Sequence, residues 1–161
     1  MVKNLTIVFV SFFVLACEAK NLQIIKPEKL TYDIVKFKTV SKVLNNEFKN
    51  NSPDHEIISE IVQYWFDNRV KTDGFEGDLY VNVKRIQFIR EKKEKYYKFS
   101  ISLSIEFIEK KSSTDIKTYD VNSKEYGEIV GSFAIKDQEN LDLNLMHKSL
   151  DSISSKLKEL N

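Results

Sequence analysis

The chain has one cysteine, two prolines, four glycines and two histidines in 161 residues. A single thiol excludes an intrachain disulfide, so hydrophobic packing has to hold the fold. Scarce glycine and proline mean that few tight turns are marked in the sequence. Formal charge nearly cancels, with 25 basic against 24 acidic side chains. Such a balance sets up no global field to draw in nucleic acid or an anionic surface, and no nucleic-acid partner is expected. What remains is ordinary for a folded protein: 42% hydrophobic, 12% aromatic and 30% charged residues. That composition excludes the disordered and fibrous classes, and the length suits one domain with a proper core.

The first twenty residues are unlike the rest. Lys3 is the only charge before Cys17, and an apolar run of about twelve residues extends from Leu5 to Ala16. A helix needs roughly twenty such residues to cross a bilayer, so the run is too short to span but suits a secretory signal. It ends Val14-Leu15-Ala16-Cys17, which resembles a bacterial lipobox. Each part has a chemical reason. The peptidase needs a small residue beside the scissile bond, and the Cys17 sulfur takes a diacylglyceryl thioether before becoming the new N-terminus. Acyl chains gain about 0.8 kcal/mol per buried methylene, so two or three of them hold a protein on a membrane durably. Cleavage after Ala19 is the alternative, because Leu15 is not the favoured residue at its lipobox position; it would release a soluble secreted protein. Glu18 is not Asp, so the inner-membrane retention signal of enteric bacteria is missing and the outer membrane is favoured. The expected division is a signal peptide over 1–16, a lipidated cysteine and tether over 17–29, and a single domain over 30–161.

Within that domain, Leu30 to Val40 is rich in β-branched and aromatic residues and predicts a strand. Asn45 to Ser52 reads as a polar loop. Ser52, Pro53 and Asp54 then suit a helix N-terminus, and Ile57, Ile58, Ile61, Val62, Trp65, Phe66 and Arg69 follow at helical spacing, with a stop expected near Lys71. Asp78 to Arg90 predicts a strand whose alternation changes phase, which implies a bulge near Lys84-Arg85. A turn is expected at 91–94. From Tyr97 to Phe107, apolar and polar residues alternate strictly, the mark of a strand with one buried and one wet face. Ile116 to Ile135 reads as extended but broken around Asn122 to Gly127, with Ile129 to Ile135 its better half. Leu143, Met146, Leu150, Ile153, Leu157 and Leu160 predict an amphipathic helix. About three heptads are barely enough for a coiled coil, so this helix is expected to pack on the chain's own sheet. The fold class is α+β in the order β-α-β-β-β-α: an antiparallel sheet of about four strands with two helices on one face.

Candidate chemistry is thin. His55 and His147 have no partners at metal-ligand spacing, and no serine sits in a nucleophile elbow. Gly74-Phe75-Glu76-Gly77 and Gly127 to Gly131 lack the pattern of phosphate loops and read as turn and bulge glycines. Lys92, Lys93 and Lys95 belong at a hairpin tip, whereas Lys110 and Lys111 fall roughly 45 Å away at strand rise, so they do not form one basic surface. No catalytic residue, cofactor or metal is nominated. Cys17, as a lipidation site, is the one residue assigned a role.

Read in order, the mature chain resembles an uncharacterised family of small alphaproteobacterial envelope lipoproteins. The likeness lies in the lipobox, the strand Tyr32-Asp33-Ile34-Val35-Lys36-Phe37, the helix core Trp65-Phe66-Asp67-Asn68-Arg69 and the turn glycines Gly74 and Gly77. It continues through Tyr80-Val81-Asn82-Val83, the long hairpin, and the passage from Ser132 to Leu143 into the terminal helix. The chain departs from that family in its lysine and asparagine content and in a longer segment before Ile129. The resemblance implies no catalytic residues. It implies a non-enzymatic accessory or binding factor on the periplasmic side of the envelope, held to the membrane by lipid and engaging an envelope protein or lipid. A looser architectural likeness is to auxiliary lipoproteins of lipopolysaccharide assembly and lipid transport.

Overall fold

A computed structural model describes residues 34–46, 48 and 55–160. The expectations for Cys17, for cleavage at Ala19, for the tether and for the Ser52-Pro53-Asp54 cap lie outside these residues. Six strands and two helices are described, in the order β1 (Val35–Phe37), β2 (Ser41–Asn45), α1 (His55–Arg69), β3 (Val70–Thr72), β4 (Asp78–Lys93), β5 (Tyr96–Lys110), β6 (Ile116–Val130) and α2 (Ile135–Leu160). Four of the strands form one mixed sheet in the order β2-β4-β5-β6, and β1 and β3 pair separately. The fold is α+β and the long strands are antiparallel, as expected. The parallel pairs β1–β3 and β2–β4 are additions that local pattern did not announce.

The central hairpin follows directly from the sequence. Tyr97, Phe99, Ile101, Leu103, Ile105 and Phe107 of β5 are all buried, and the intervening residues are half-exposed. β4 pairs with β5 along its length, with a register shift between Val83 and Arg85. This is the expected bulge, which lets Val83 and Ile86 face the same side although two residues, an even number, lie between them. The turn falls at Glu94-Lys95, and β4 runs on to Lys93.

Four expectations differ from the structure. Leu30 to Val40 is not one strand: β1 ends at Phe37, the chain bends through 38–40, and β2 begins at Ser41. The bend is where a second backbone segment crosses, since a Cβ on Gly74 would lie 2.2 Å from the Lys38 carbonyl carbon. Asn45 accordingly closes a strand instead of opening a loop. Helix α1 stops at Arg69, short of Lys71, because Val70 is fully buried and joins a parallel ladder with Val35. Lys42 secures that stop, donating to the carbonyls of Phe66 at 2.8 Å and Val70 at 2.6 Å. Finally, β6 is unbroken from Ile116 to Val130. Its polar stretch continues the strand because Asn122, Lys124 and Tyr126 point to solvent while Val121 and Ser123 are buried. It ends at Gly131, whose φ is +103°, so Ile129 to Ile135 is not the better strand half and Ile135 opens α2.

Both helices cover the same face of the sheet. Trp65 of α1 meets Phe107 of β5 edge-on at 6.4 Å, and Ser149 of α2 bonds Ser123 of β6. The first turn of α2 is closed by the Asp137 carboxylate, which accepts from the Ala134 amide at 2.7 Å, half of a capping box. Its buried stripe is Leu145, Met146, Ser149, Leu150, Ile153, Ser154 and Leu157. Leu143 is only partly buried and Leu160 is 56% exposed, so the stripe is displaced slightly from the leucine spacing. Phe37 stacks on Phe107 at 5.9 Å and ties the β1–β3 pair to this core. Each such ring contributes about 2–3 kcal/mol by burial.

Candidate functional site

A catalytic cleft would need convergent polar groups in a dry, roomy cavity. The cavity between the helices is lined by Tyr64, Trp65, Arg69, His147 and Leu150 and holds about 10 Å³, space for about one water. His147 is half-buried there, and burial pushes its imidazole below the ordinary value of 6.5. Trp65 donates from Nε1 to Ser154 Oγ at 2.9 Å. The Trp65-x-x-x-Arg69 motif is therefore part of the helix–helix contact. Among the described residues no group of His, Cys, Asp and Glu is placed to hold a metal ion.

The feature with the most unspent surface is the helix-free face of the sheet. Its side chains are fixed by register. Across the three long strands they form successive rows: Tyr80, Ile108 and Thr118; Asn82, Glu106 and Asp120; Arg85, Ser104 and Asn122; Gln87, Ser102 and Lys124; Ile89, Ser100 and Tyr126; Glu91, Lys98 and Glu128; Lys93, Tyr96 and Val130. The middle strand thus carries small serines at 100, 102 and 104, with longer side chains on both flanks. The result is a shallow trough along β5, floored by hydroxyls that donate or accept. Its rims carry apolar groups in water: Ile89 is 59% exposed, Tyr126 70% and Val130 74%. Strand spacing puts the two rims about 10 Å apart.

One end of the face is charged and internally paired. Glu106 accepts from Asn82 at 2.7 Å and pairs with Lys84 at 2.9 Å, and the Lys84 hydrogen bond, with that of Asn82, holds its carboxyl below the usual range. At the hairpin tip, Lys93 pairs with Glu91 at 2.9 Å. Lys110 lies opposite Asp78 at the far end of the hairpin, so the two basic clusters are separated as the sequence predicted.

Some functional groupings had no sequence forecast. On the helix side, Tyr97 donates to both Asp142 oxygens, at 2.8 and 2.9 Å, and Arg90 donates to the same carboxylate at 2.9 Å. Burial, then the Asp142 contact, pushes the Tyr97 phenol up to about 12. The signal for the buried serines was present: Ser149 and Ser154 sit on the apolar stripe of α2, where a hydroxyl implies a partner. Nothing in the alternation of β4 and β6 said that their outward faces would lie beside one row of serines.

No family model matches the sequence, and no curated protein matches it significantly. Among solved structures, rare lipoprotein B from Shewanella oneidensis is similar over 74% of this chain and 92% of its own, at 10% identity and a TM-score of 0.41. A minor lipoprotein from Acinetobacter baumannii is similar over 72% and 91%, at 14% identity and a TM-score of 0.37. A neuraminyllactose-binding hemagglutinin homolog from Helicobacter pylori is similar over 84% and 91%, at 14% identity and a TM-score of 0.34. These neighbours, two of them bacterial lipoproteins, are likenesses of outline, and the functional reading rests on this chain's own residues.

Proposed function

We propose that the chain is a non-enzymatic envelope lipoprotein, anchored through acylated Cys17 on the periplasmic side of the outer membrane, that docks an envelope protein on the helix-free face of its sheet. The observation that carries the docking role is the serine-floored trough with Ile89 and Tyr126 on its rims. Fifteen-residue strands at about 3.3 Å per residue, three abreast, offer roughly 700 Å², close to the ~800 Å² per partner of a standard interface. Tyrosines at the rim suit such a contact because they add area at small entropic cost. The lipid anchor is supported by Cys17 standing where the export hydrophobe gives way to polar chain.

Metabolic labelling with a tagged fatty acid tests the anchor. The wild type is expected to take up label and float with membranes, and Cys17→Ser to do neither. An unlabelled wild type with a mature N-terminus at Lys20 would replace this reading with the second one, a secreted soluble binding module, which Leu15 at its lipobox position favours. A photocrosslinker at Tyr126 in intact cells tests the face: one discrete adduct that Ile89→Lys abolishes is expected.

A further inference from the structure

The loop between β3 and β4 presents Phe75 wholly in water, at 100% exposure. A bare phenyl ring is unusual on a surface, and this one is not there through slackness. Asp73 donates to the Phe37 carbonyl at 3.1 Å, Gly74 to that of Thr39 at 3.0 Å, and the Val40 amide to Gly77 at 2.9 Å. Gly74 lies against the Lys38 carbonyl, and Gly77, at φ +77°, lies against the Lys110 carbonyl, with no room for a Cβ at either. The loop is therefore pinned on both sides and holds the ring outward. Val40, 60% exposed, is bonded to the same loop, and Ile116, 51% exposed, stands opposite Lys110 at the base of β6. Lys110 and Lys111 border this apolar tip, and Lys38 pairs with Asp73 at 3.0 Å beside it.

We infer that the 73–77 loop is a membrane-contact tip: Phe75 enters the boundary between lipid headgroups and acyl chains, with Lys110 and Lys111 against lipid phosphates. An aromatic ring flanked by long cationic stems is the arrangement that suits that boundary, with the ring in the apolar layer and the ammonium groups in the headgroups. Asp73 and Glu76 give the loop itself two negative charges, which Lys110 and Lys111 beside it offset, so the ring carries the insertion and the lysines orient it. One ring binds a bilayer weakly from solution. The inference rests on the lipoprotein reading, in which the eighteen residues from Cys17 to Ile34 keep the domain within about 60 Å of the membrane and raise the effective concentration. The hairpin tip at Glu94-Lys95 then points roughly 50 Å away from the bilayer, which leaves the trough clear for a partner.

The test uses the full-length acylated chain in vesicles of phosphatidylethanolamine and phosphatidylglycerol, three to one, with brominated acyl chains. Native Trp65 is buried and serves as the internal control. In Phe75→Trp the added emission is expected to shift at least 10 nm to the blue and be quenched at least twofold more than in wild type. Lys110→Glu with Lys111→Glu on that background is expected to reduce the quenching by half or more. A chain that floats with the vesicles but leaves the new tryptophan unquenched and water-like overturns the membrane tip while the lipoprotein reading stands. A blue shift without bromine quenching assigns the ring to a protein pocket and equally overturns it. A chain that does not float removes both.

Discussion

At the scale of single residues, two glycines with left-handed backbone separate strain from crowding. Gly77 has φ +77°, and an added Cβ would sit 2.6 Å from the Lys110 carbonyl oxygen; Gly131 has φ +103° with nothing nearby. Gly131→Ala carries only the backbone cost, about 1 kcal/mol, whereas Gly77→Ala adds a backbone collision and is expected to cost about 3 kcal/mol. Urea unfolding of the two variants checks the difference, and equal losses would refute the crowding argument. His147 gives a pH signature. Burial depresses its folded pKa below the ordinary 6.5, so on acidification the unfolded chain takes the proton first. Stability from this residue is present above pH 6.5 and is lost as pH falls below it. Urea midpoints at pH 7 and pH 5 should fall in the wild type and fall less in His147→Gln. Neither the crowding at Gly77 nor the histidine's burial was legible from the chain: the first depends on Lys110, more than thirty residues away, and the second on the other helix. The serines of α2 were readable in principle, since Ser149 and Ser154 interrupt an apolar stripe.

At the scale of elements, legibility followed how local the pairing is. β5 declared itself because both neighbours flank it and one face is wholly buried, so alternation is strict. β3 has three residues and no turn before it; only its parallel register with β1 makes it a strand, and that information lies in the tertiary fold. The sequence of β6 looks broken because an edge strand packs fewer of its residues, and its polar side chains hide the period. That edge is also guarded. Lys156 reaches from α2 to the Asn122 carbonyl of this edge strand at 2.6 Å. A lysine there discourages a second strand from adding. Lys156→Ala is expected to leave the melting temperature nearly unchanged and to produce concentration-dependent association in sedimentation velocity; a strict monomer at high concentration would show that the guard is not needed. The opposite end of α2 is fixed by Asp142, which takes hydrogen bonds from Tyr97 and Arg90. Asp142→Ala strands a buried phenol and should cost about 2–3 kcal/mol. Tyr97→Phe leaves Arg90 in place and should cost about 1 kcal/mol. Equal losses would mean that the phenol finds another acceptor.

At the scale of the whole molecule, the sheet has one face that holds the fold and one that does not, and the two should be separable by mutation. Leu103 and Ser102 are neighbours on β5, yet Leu103 is 1% exposed under the helices while Ser102 floors the trough. Leu103→Ala removes core volume and is expected to cost about 2–5 kcal/mol, lowering the melting temperature markedly. Ile89→Ser combined with Tyr126→Ser removes the apolar rims from solvent-facing positions. It buries nothing new and empties no cavity, so stability should change by no more than about 0.5 kcal/mol per site. Capture of a partner by a crosslinker placed at Ser102 should nevertheless drop by at least tenfold, because the rims supply the contact area that the serine floor lacks. The paired measurement, a thermal melt beside a crosslinking yield, is decisive in either direction. A variant that melts early would show that the rims stabilise the sheet and that their exposure is incidental. A variant that melts normally and still captures its partner would move the docking surface off this face, because no other row across the three strands sets bulky apolar side chains on both sides of a serine.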